Sequence, residues 1–576
     1  MPAQRLACQV VPDIPTFAVD DGFTYGIPQA TRIEVGARVR VRVSGRRLKG
    51  FVTAVLPYPD DRELLDIDGV VGNLPSFGET DLSLLRWAAT YYVAPLSTIL
   101  KRTIPANVPR RNDEQDPAVP DASATFAATH IVPASSSLDT LLALLKQGEL
   151  VGKAVLVVAP SVREVEDIAS GLRSVHADRI LVAHSSLSAK ESTSSWTTAA
   201  TKGGILVGTR EVALWPVNGL ATIIVVEDGR RVMKSPSTPT LGVREVALAR
   251  CKGANIPLVT IGSVPTLEMI HAGATMMSPN GRLWPLVEVI DRGEEPPTSS
   301  PVLERTRTAI SAATSAGGDV FVLVPRRAYA PAYRCTTCGE VRRCRTCHAL
   351  VGTSDACARC GAHLGDCVEC GHHRWQGLGA GIGSVVDDLK RSLRDKVGVH
   401  GEGRQVTVGT ERDLIGVDNC TLAVGIGLDA MALAPNYRAS EDTLRLLVRL
   451  ARTVAKGRGH RCLVQTSDVG QPVVSALRTG RFEEFLAAEM QSRRRSGFPP
   501  AGQLMAVEVS DVPSEDPLKS LDAHAELLGP ATLRDRERWL IQAGDLTKAK
   551  TGLRSIAGRL RDRGSRVRID VDPIDL

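Results

Sequence analysis

Short runs of apolar, β-branched residues recur between residues 150 and 262. They read KAVLVVAP, RILVAH, GGILVGT, ATIIVVED and IPLVTIG. Segments such as SVREVEDIASGL and VREVALARCKG lie between them and place apolar residues at helical spacing. Continuously apolar strands that alternate with helices predict a parallel sheet covered on both faces. KAVLVVAP is expected to be the first strand of this sheet.

A second α/β unit follows the polar linker RGEEPPTSSP at 292–301. Its predicted strands are GDVFVLVP, RQVTVGT and CTLAVGIGLDA, and a cysteine cluster interrupts the unit. Residues 1–60 carry short valine-containing runs separated by Gly and Pro, which predicts β-structure. ETDLSLLRWAATYYV predicts a small helical or winged-helix unit, residues 110–124 a linker, and the chain beyond about 480 an α+β domain.

The stretch ARVRVRVSGRRLKG at 37–50 alternates arginine with valine. This period predicts a strand with Val39, Val41 and Val43 inward, and with the following residues outward: Arg38, Arg40 and Arg42. A row of cations is typical of either a solvated sheet face or a surface that binds phosphates.

Composition narrows the class of protein. The chain has 576 residues, of which 43% are hydrophobic and 23% charged, and its net charge is +6. The length predicts several domains, the mild basicity is compatible with a polyanionic partner, and no apolar run approaches about 18 residues. The N-terminal sequence does not resemble a secretory signal. A cytoplasmic, nucleoid-associated protein without a membrane partner is expected.

Eight of the twelve cysteines fall within 36 residues as four C-x-x-C pairs. The pairs are Cys335 and Cys338, Cys344 and Cys347, Cys357 and Cys360, and Cys367 and Cys370. Four thiolates close one tetrahedral structural zinc site, so eight predict two Zn²⁺ ions per chain. Iron–sulfur ligation and redox pairs remain alternatives. Cys8, Cys251, Cys420 and Cys462 stand singly in apolar surroundings and are predicted to be core residues.

The stretch HIVPASSSLDTLLALL at 130–145 stands where a nucleotide-driven motor would carry its phosphate-binding loop. Such a loop needs glycines, free backbone N–H groups and a lysine. This stretch has neither glycine nor lysine, Pro133 removes one N–H donor, and Ser137 stands where the lysine is wanted. Glu227 and Asp228 end the strand IIVVED, where a motor holds magnesium. Two ordinary acids at a strand end are the other interpretation.

The chain resembles the PriA-type primosomal family of bacterial replication restart over nearly its whole length. The resemblance rests on DDGFTYGIP, AHSSLSAKE, VGTREVALWPVNGLATIIVVED, the eight-cysteine module and RRRSGFPP. It implies two RecA-like helicase lobes, an N-terminal domain that binds DNA, and pairing of the outer and of the inner C-x-x-C pairs around one zinc each. By matching position, one set is Cys335, Cys338, Cys367 and Cys370. The other is Cys344, Cys347, Cys357 and Cys360.

The chain departs from this family in its ATP chemistry. ASSSL at 134–138 replaces a GSGKT loop, EDGR at 227–230 a DEEH box, TIGSVPT a GSATPS-like segment, and ARTVAK at 451–456 an AGRAGR motif. We therefore expect a helicase-deficient form without effective ATP binding, and no catalytic residues. In the N-terminal domain, Phe23-Thr24-Tyr25 replaces Phe-Asp-Tyr. A preference for a DNA 3′ end therefore does not follow from the resemblance, although Phe23 and Tyr25 could stack on a base.

The predicted fold is a multidomain α/β protein with six parts. They are an N-terminal DNA-binding domain (1–70), a winged-helix-like unit (71–118), degenerate helicase lobe 1 (119–290), degenerate helicase lobe 2 (291–334 and 372–478), a two-zinc module (335–371), and an α+β C-terminal DNA-binding domain (479–576). The C-terminal contacts to DNA are assigned to Arg534, Arg536 and Arg538.

The resulting hypothesis is a restart protein that binds abandoned forks and helps to reload the replicative helicase. Its expected partners are forked and single-stranded DNA, primosome proteins, the replicative helicase or its loader, and single-strand-binding protein. The zinc module would separate strands or hold partners. Two alternatives stay open: a working 3′–5′ DNA helicase with a non-standard nucleotide site, and a zinc-containing scaffold for proteins alone.

Overall fold

The computed structural model describes the residues in fifteen stretches. They are 5–29, 31–58, 63–105, 107–109, 125–146, 150–279, 283–296, 298, 300–325, 332–352, 354–378, 381–434, 436–511, 517–533 and 535–575. The chain divides into two compact units. The first comprises Met1–Ser278, Gln503–Leu528 and Trp539–Pro573, and the second comprises Pro279–Gly502, Gly529–Arg538 and Ile574–Leu576.

The chain begins with a five-stranded antiparallel sheet of order β2-β1-β4-β3-β5. Its strands are β1 (Leu6–Pro12), β2 (Phe23–Gly26), β3 (Arg38–Val43), β4 (Arg46–Pro57) and β5 (Gly69–Val70). The valines of β3 alternate with its arginines as predicted: Val39 and Val41 are fully buried, whereas Arg40 and Arg42 are exposed.

Two helices follow this sheet, α1 (Glu79–Tyr91) and α2 (Leu96–Leu100). Their apolar residues, including Leu85 and Ile99, share one core with the sheet residue Phe51 and with the C-terminal domain residues Trp539 and Leu553. The first unit is therefore held together by a core to which both ends of the chain contribute.

The first parallel sheet has seven strands in the order β12-β6-β11-β10-β7-β9-β8. They are β6 (Ala128–Ile131), β7 (Ala154–Val158), β8 (Ile180–Ala183), β9 (Ile205–Gly208), β10 (Leu220–Val226), β11 (Leu258–Ile261) and β12 (Thr275–Met277). The connecting helices are α3 (Ser137–Lys146), α4 (Val162–His176), α5 (Ala189–Lys202), α6 (Val243–Ala254) and α7 (Leu267–His271).

All five predicted strands of this sheet are present, but the prediction that KAVLVVAP comes first is wrong. β6 precedes it. The hydrophobic pattern did not reveal β6 because this strand contains the polar His130, which is nevertheless buried in the core. The two ring nitrogens of His130 lie 2.8 Å from Thr260 Oγ1 and 3.2 Å from the Gly262 carbonyl oxygen. Leu156 and Val158 pack on one face of the sheet, and Val155 and Val157 on the other, so both faces are covered as expected.

The second parallel sheet has six strands in the order β13-β20-β19-β14-β18-β17. Its strands are β13 (Leu286–Asp291), β14 (Val320–Leu323), β17 (Val397–Val399), β18 (Val406–Gly409), β19 (Leu422–Gly425) and β20 (Arg461–Thr466). Between β14 and β17 in the chain, β15 (Ala332–Cys335) and β16 (Trp375–Leu378) form a separate antiparallel pair. The helices of this unit are α8 (Glu304–Ser315), α9 (Ile382–Leu393), α10 (Asp429–Ala432), α11 (Ala439–Arg452), α12 (Pro472–Thr479) and α13 (Phe482–Ser496). The two sheets confirm the predicted pair of RecA-like parallel-sheet lobes.

RRRSGFPP ends α13 and anchors it to α11. Arg493, 2% exposed, donates hydrogen bonds to Glu441 Oε2 (2.9 Å), Glu489 Oε1 (3.0 Å) and the Pro499 carbonyl (2.8 Å). The ring of Phe498 stacks on that of Tyr437 at 5.2 Å. Since Glu441 is fully buried, its charge depends on this arginine and on Arg445.

The chain ends in a four-stranded sheet of order β22-β23-β21-β24 with one helix. These elements are β21 (Gln503–Ser510), β22 (Glu526–Leu533), β23 (Arg536–Ala543), α14 (Thr547–Asp562) and β24 (Val567–Val571). This is the α+β domain that the sequence predicts. Among the helices that the structure describes, none combines the length and the apolar character that a membrane crossing needs.

Candidate functional sites

The eight clustered cysteines form two groups of four. One group contains Cys335, Cys338, Cys367 and Cys370, and the other contains Cys344, Cys347, Cys357 and Cys360. This grouping agrees with the outer and inner pairing that the family resemblance implies. The antiparallel strands β15 and β16 flank the module, and Arg342 lies over the ring of Trp375 at 4.8 Å.

The sulfur geometry fits a tetrahedral metal ion. The Sγ–Sγ distances are 3.5 Å for Cys335–Cys370 and Cys338–Cys367, and 3.5 and 3.7 Å for the inner pairs Cys344–Cys360 and Cys347–Cys357. All four sulfurs of each group lie within 4.8 Å of one another. Sulfurs about 2.3 Å from a shared zinc would lie about 3.8 Å apart, so an ion fits either group with little rearrangement.

Each C-x-x-C pair forms the same tight turn. In each, the N–H of the residue after the second cysteine donates to the carbonyl of the first cysteine, at 2.8 to 3.0 Å. That residue has positive φ at all four turns: Gly339 (80°), His348 (54°), Gly361 (78°) and Gly371 (71°). Left-handed backbone favours glycine, so C-x-x-C-G is a sequence signal for this turn, and His348 is the one departure.

Backbone N–H groups stabilise thiolate at Cys335 and Cys344. The Cys338 N–H lowers the pKa of Cys335 to about 6. Burial raises the pKa of Cys344, but the N–H groups of Cys347 and Thr346 outweigh this effect and bring the pKa to about 6. Thiolate is the ligand form, so each group has one cysteine in which that form is favoured before a cation binds. Burial and the neighbouring thiols raise the pKa of Cys338 and of Cys347 to about 12.

The four single cysteines are buried as predicted. Cys8, Cys251 and Cys462 have no exposed surface, and Cys420 is 4% exposed. Burial raises the pKa of Cys8 and Cys251 to about 12 and also raises the pKa of Cys420 and Cys462. None of the four is prepared for thiolate chemistry.

The loop at 132–136 joins the carboxyl end of β6 to the start of α3, where an α/β sheet normally binds a phosphate ligand. Here a carboxylate of the chain itself lies at the helix start. Asp139 accepts hydrogen bonds from the Ser135 and Ser136 hydroxyls, both at 2.8 Å, and its N–H donates to Ser136 Oγ at 3.1 Å. These hydroxyls lower the pKa of Asp139.

This capping arrangement opposes phosphate binding. The N-terminus of a helix attracts one anion, and Asp139 supplies a negative charge there already. A phosphate would meet a carboxylate where an active loop offers N–H groups and a lysine. Ser137, the predicted replacement of that lysine, is the first residue of α3 and brings no positive charge.

Glu227 and Asp228 follow β10, and both are engaged by neighbouring side chains. Glu227, with φ of 50°, accepts hydrogen bonds from the Ser263 N–H (3.1 Å) and hydroxyl (2.9 Å). Asp228, 5% exposed, accepts one from Thr266 Oγ1 at 2.8 Å.

A buried guanidinium completes this cluster. Arg244 lies 3.6 Å from Asp228, 3.4 Å from Glu268 and 2.5 Å from Glu245. A cation in contact with Asp228 competes with a magnesium ion for that carboxylate. Asp228 therefore has the surroundings of a structural ion-pair cluster, and Glu227 is held by Ser263.

In the second unit, the ARTVAK segment lies at the end of α11. Its third and sixth residues, where AGRAGR carries arginines, are Thr453 and Lys456. The Thr453 hydroxyl is buried and donates to the Leu450 carbonyl at 2.7 Å. This position caps a helix and carries no charge.

The basic strand β3 pairs with β4 so that like charges stand opposite each other: Arg40 faces Lys49, and Arg42 faces Arg47. Arg40, Arg42, Arg47 and Lys49 are exposed, whereas Arg38 is half-buried. Burial lowers the pKa of Arg38, and Asp13 counteracts this effect. The predicted outward row is thus present, with Arg38 the least accessible member.

Phe23 and Tyr25 occupy different environments. Phe23 is 41% exposed, whereas Tyr25 is 4% exposed and packs in the core of the N-terminal sheet. The Tyr25 hydroxyl donates to the Arg42 carbonyl at 2.9 Å. Of the two predicted aromatic contacts, only Phe23 presents a ring to solvent, because the ring of Tyr25 packs in the core of the sheet.

The predicted C-terminal arginines lie near the β22–β23 connection. Arg536 is exposed and lies 3.4 Å from Asp535, and Arg538 donates to the Asp575 carbonyl at 2.7 Å. Arg534 lies outside the described residues.

Sequence reasoning missed Asp139, Arg244, Ser263 and Thr266. The S-x-x-D pattern from Ser136 to Asp139 is a detectable helix-start signal. Arg244 gave no local signal, because its partners Asp228 and Glu268 lie in other elements of the fold.

Comparison with known proteins supports the resemblance. Residues 9–105 match the family described as the PriA 3′DNA-binding domain (3′BD). The replication restart protein PriA of Treponema pallidum (strain Nichols) is 25% identical over 99% of this chain and 99% of its own length. The probable PriA of Mycobacterium leprae (strain TN) is 25% identical over 88% of each chain. The probable PriA of Deinococcus radiodurans is 27% identical over 73% of this chain, which spans 52% of that relative.

These similarities extend from the N-terminal sheet through both parallel-sheet lobes and the cysteine module. They agree with the resemblance found in the sequence: the chain is similar to PriA replication restart proteins over nearly its whole length, and its residues 9–105 match the PriA 3′DNA-binding domain family.

Proposed function

We propose that this chain is a replication restart protein that binds stalled or abandoned forks and promotes reloading of the replicative helicase without unwinding DNA itself. The proposal that the chain does not unwind DNA rests on the contacts of Glu227 and Asp228. Ser263, Thr266 and Arg244 engage these acids, and Asp139 caps the helix at which a phosphate would bind.

DNA binding is supported by the N-terminal domain. Its β3–β4 hairpin exposes Arg40, Arg42, Arg47 and Lys49 on strands that pair directly, and Phe23 exposes an aromatic ring. Cations of this kind bind phosphates without reading sequence, and an exposed ring stacks on an unpaired base. Forked and single-stranded DNA are therefore the proposed nucleic-acid partners, with Arg536 and Arg538 as further proposed contacts.

The two cysteine groups are proposed to hold one Zn²⁺ each. Bound zinc would be structural, because four thiolates leave no open coordination position for a reaction. The module would then serve as a rigid strand separator or as a surface for primosome proteins. The proposed protein partners are the replicative helicase or its loader and single-strand-binding protein.

One titration tests the proposal. The wild-type chain is mixed with labelled forked, single-stranded and blunt duplex DNA, and phosphate release from ATP is measured in the same samples. We expect tighter binding to forked and single-stranded DNA than to blunt duplex, no effect of ATP on binding, and phosphate release no faster than in a heat-denatured control.

The same experiment separates the alternatives. A helicase with a non-standard nucleotide site would release phosphate when DNA is added. A scaffold that binds only proteins would show no DNA binding at about 50 mM salt, a condition that favours phosphate contacts.

A further inference from the structure

The β3–β4 hairpin contains two cross-strand pairs of cations that differ in their surroundings. The first, which we call the open pair, consists of Arg40 and Lys49. The second, the bridged pair, consists of Arg42 and Arg47. Directly opposite side chains have Cβ atoms about 5 Å apart, so each pair places two positive charges next to each other at a cost in stability.

Asp68 relieves that cost at the bridged pair. The Arg42 Nε lies 3.3 Å from one carboxylate oxygen of Asp68, and the Arg47 Nε lies 3.1 Å from the other. The Asp68 backbone is held by β3, because its N–H donates to the Arg40 carbonyl at 2.8 Å. One carboxylate thus accepts from two guanidinium groups, as a phosphate group would.

The open pair has no such anion. Within the described part of the chain, no ion pair or side-chain hydrogen bond involves Arg40 or Lys49, and both side chains are exposed. On one side of it Asp68 compensates the bridged pair, and on the other side Arg38 is half-buried and therefore less accessible than Arg40 and Lys49. The strongest local positive field on the hairpin is therefore expected at Arg40 and Lys49.

We propose that the open pair is the primary contact of this hairpin with a DNA phosphate, and that Asp68 is an internal anion that a second phosphate displaces from Arg42 and Arg47. Asp68 would then limit affinity and shape the salt dependence of binding. This inference rests on the proposed DNA binding and adds a restraint within the same site. The ligand is the phosphodiester group, which both single-stranded and duplex DNA supply.

The test is a salt titration of binding, followed by fluorescence anisotropy, with a single-stranded dT oligonucleotide and a blunt duplex as separate probes. Asp68→Asn should bind the oligonucleotide roughly five- to twentyfold more tightly than wild type at low salt. This gain in affinity should shrink as the ionic strength rises, because salt screens the removed charge. Arg40→Gln combined with Lys49→Gln removes one phosphate contact and should reduce the log–log slope by about 0.7 on the single strand and about 0.9 on the duplex. A probe on which the slope falls by the stated amount supplies a phosphate that the open pair contacts, and an unchanged slope on both probes would overturn the contact.

Asp66→Asn is the matched control for Asp68→Asn. It removes the same charge two residues away, from a side chain that pairs with Arg5 and not with the hairpin cations. Equal affinities for the two variants, or weaker binding by Asp68→Asn, would overturn the proposal. Asp68→Glu keeps the charge and should bind as wild type does. If Asp68→Asn lowers the melting temperature, Asp68→Glu becomes the deciding variant. Tighter binding by this variant, which keeps the negative charge, would overturn the proposal.

These outcomes are distinct from a failure of the proposed function. A wild-type chain that binds neither probe removes DNA binding as a whole. A wild-type chain that binds both probes, with unchanged slopes in the open-pair double variant, removes only the hairpin contact.

Discussion

Asp228 is a buried acid whose charge depends on one arginine. The Asp228 side chain is 2% exposed, and the Arg244 guanidinium serves it together with Glu268 and Glu245. A buried carboxylate without a cation or hydrogen bonds is costly, whereas one with both is tolerated. The position that would hold metal in a motor has become part of the internal packing of the first parallel sheet.

Arg244→Met should therefore destabilise the first unit by about 3–5 kcal/mol, because it removes the cation that pairs with the buried Asp228. Denaturant unfolding measures the loss. Adding Asp228→Asn to Arg244→Met should recover part of it, since one unpaired charge is removed. An equal loss in the single and double variants would mean that Arg244 stabilises the unit through packing alone.

Asp388 is expected to make the stability of the second unit depend on pH. Burial acts to raise its pKa, but hydrogen bonds from Ser300, Arg391 and Arg307 outweigh burial and leave the pKa below its usual value. A carboxylate with a lowered folded pKa stabilises the fold above its unfolded pKa of about 3.9 and loses this effect as pH falls through the folded value.

Asp388→Asn should accordingly be less stable than wild type at pH 7, by roughly 1–3 kcal/mol. The difference should shrink as pH falls below about 4, where the wild-type carboxyl also becomes protonated. Thermal unfolding from pH 7 to pH 2.5 measures it. Asp387→Asn, at the neighbouring exposed position, is the control and should follow the wild-type curve.

At the scale of single elements, the four C-x-x-C turns were predictable in number, residues and pairing. The spacing alone supplied the number of ligands, and the family resemblance supplied the partners. The spacing did not predict that the two groups differ in exposure. Cys338 and Cys370 of the outer group are exposed, whereas Cys347 and Cys360 of the inner group are only partly so.

This difference predicts an order of metal release. A bulky mercurial added to zinc-loaded protein should free one zinc quickly and the second more slowly, because the outer thiolates are easier to reach. A colorimetric zinc chelator follows both phases. Cys344→Ser should remove the slow phase and leave the fast phase, and Cys370→Ser should do the reverse. Loss of the fast phase in Cys344→Ser would contradict this order.

The strands show which parts of a fold the pattern of hydrophobic residues reveals. Runs such as AVLVV are apolar on both faces and identified β7, β9 and β10 directly. β6 was missed because Thr129 and His130 interrupt its apolar character, and the compensating partners Thr260 and Gly262 are distant in sequence. β20 was missed for a similar reason, since its buried Gln465 is satisfied by Thr306 and by backbone groups.

At the scale of the whole molecule, changes at separate places oppose ATP chemistry. The loop after β6 has no glycine or lysine, Asp139 occupies the helix start, Arg244 engages Asp228, and Thr453 is a buried helix cap. Both parallel sheets nevertheless keep complete cores. Retention of the lobes alongside the proposed loss of nucleotide chemistry is what a DNA- and partner-binding framework would require.

We therefore expect that neither the wild-type chain nor Ser137→Lys hydrolyses ATP when DNA is present. A lysine at 137 would add one positive charge, but the backbone would still lack the glycines that turn N–H groups toward a phosphate. Asp139 would remain at the helix start, and Thr453 and Lys456 would still stand where the AGRAGR motif carries arginines, a kind of residue worth about 10³–10⁵ in rate.

DNA-stimulated phosphate release measures this, with a heat-denatured sample as the control for contaminating ATPases. Turnover above about 0.1 per second, a hundredfold below a median enzyme, would contradict the expectation if Asp228→Asn abolished it. That result would mean that Asp228 leaves Arg244 to bind metal. Turnover that survives Asp228→Asn would instead come from a contaminant or from another site. Neutralising Asp228 would abolish turnover only if this carboxylate held the catalytic metal.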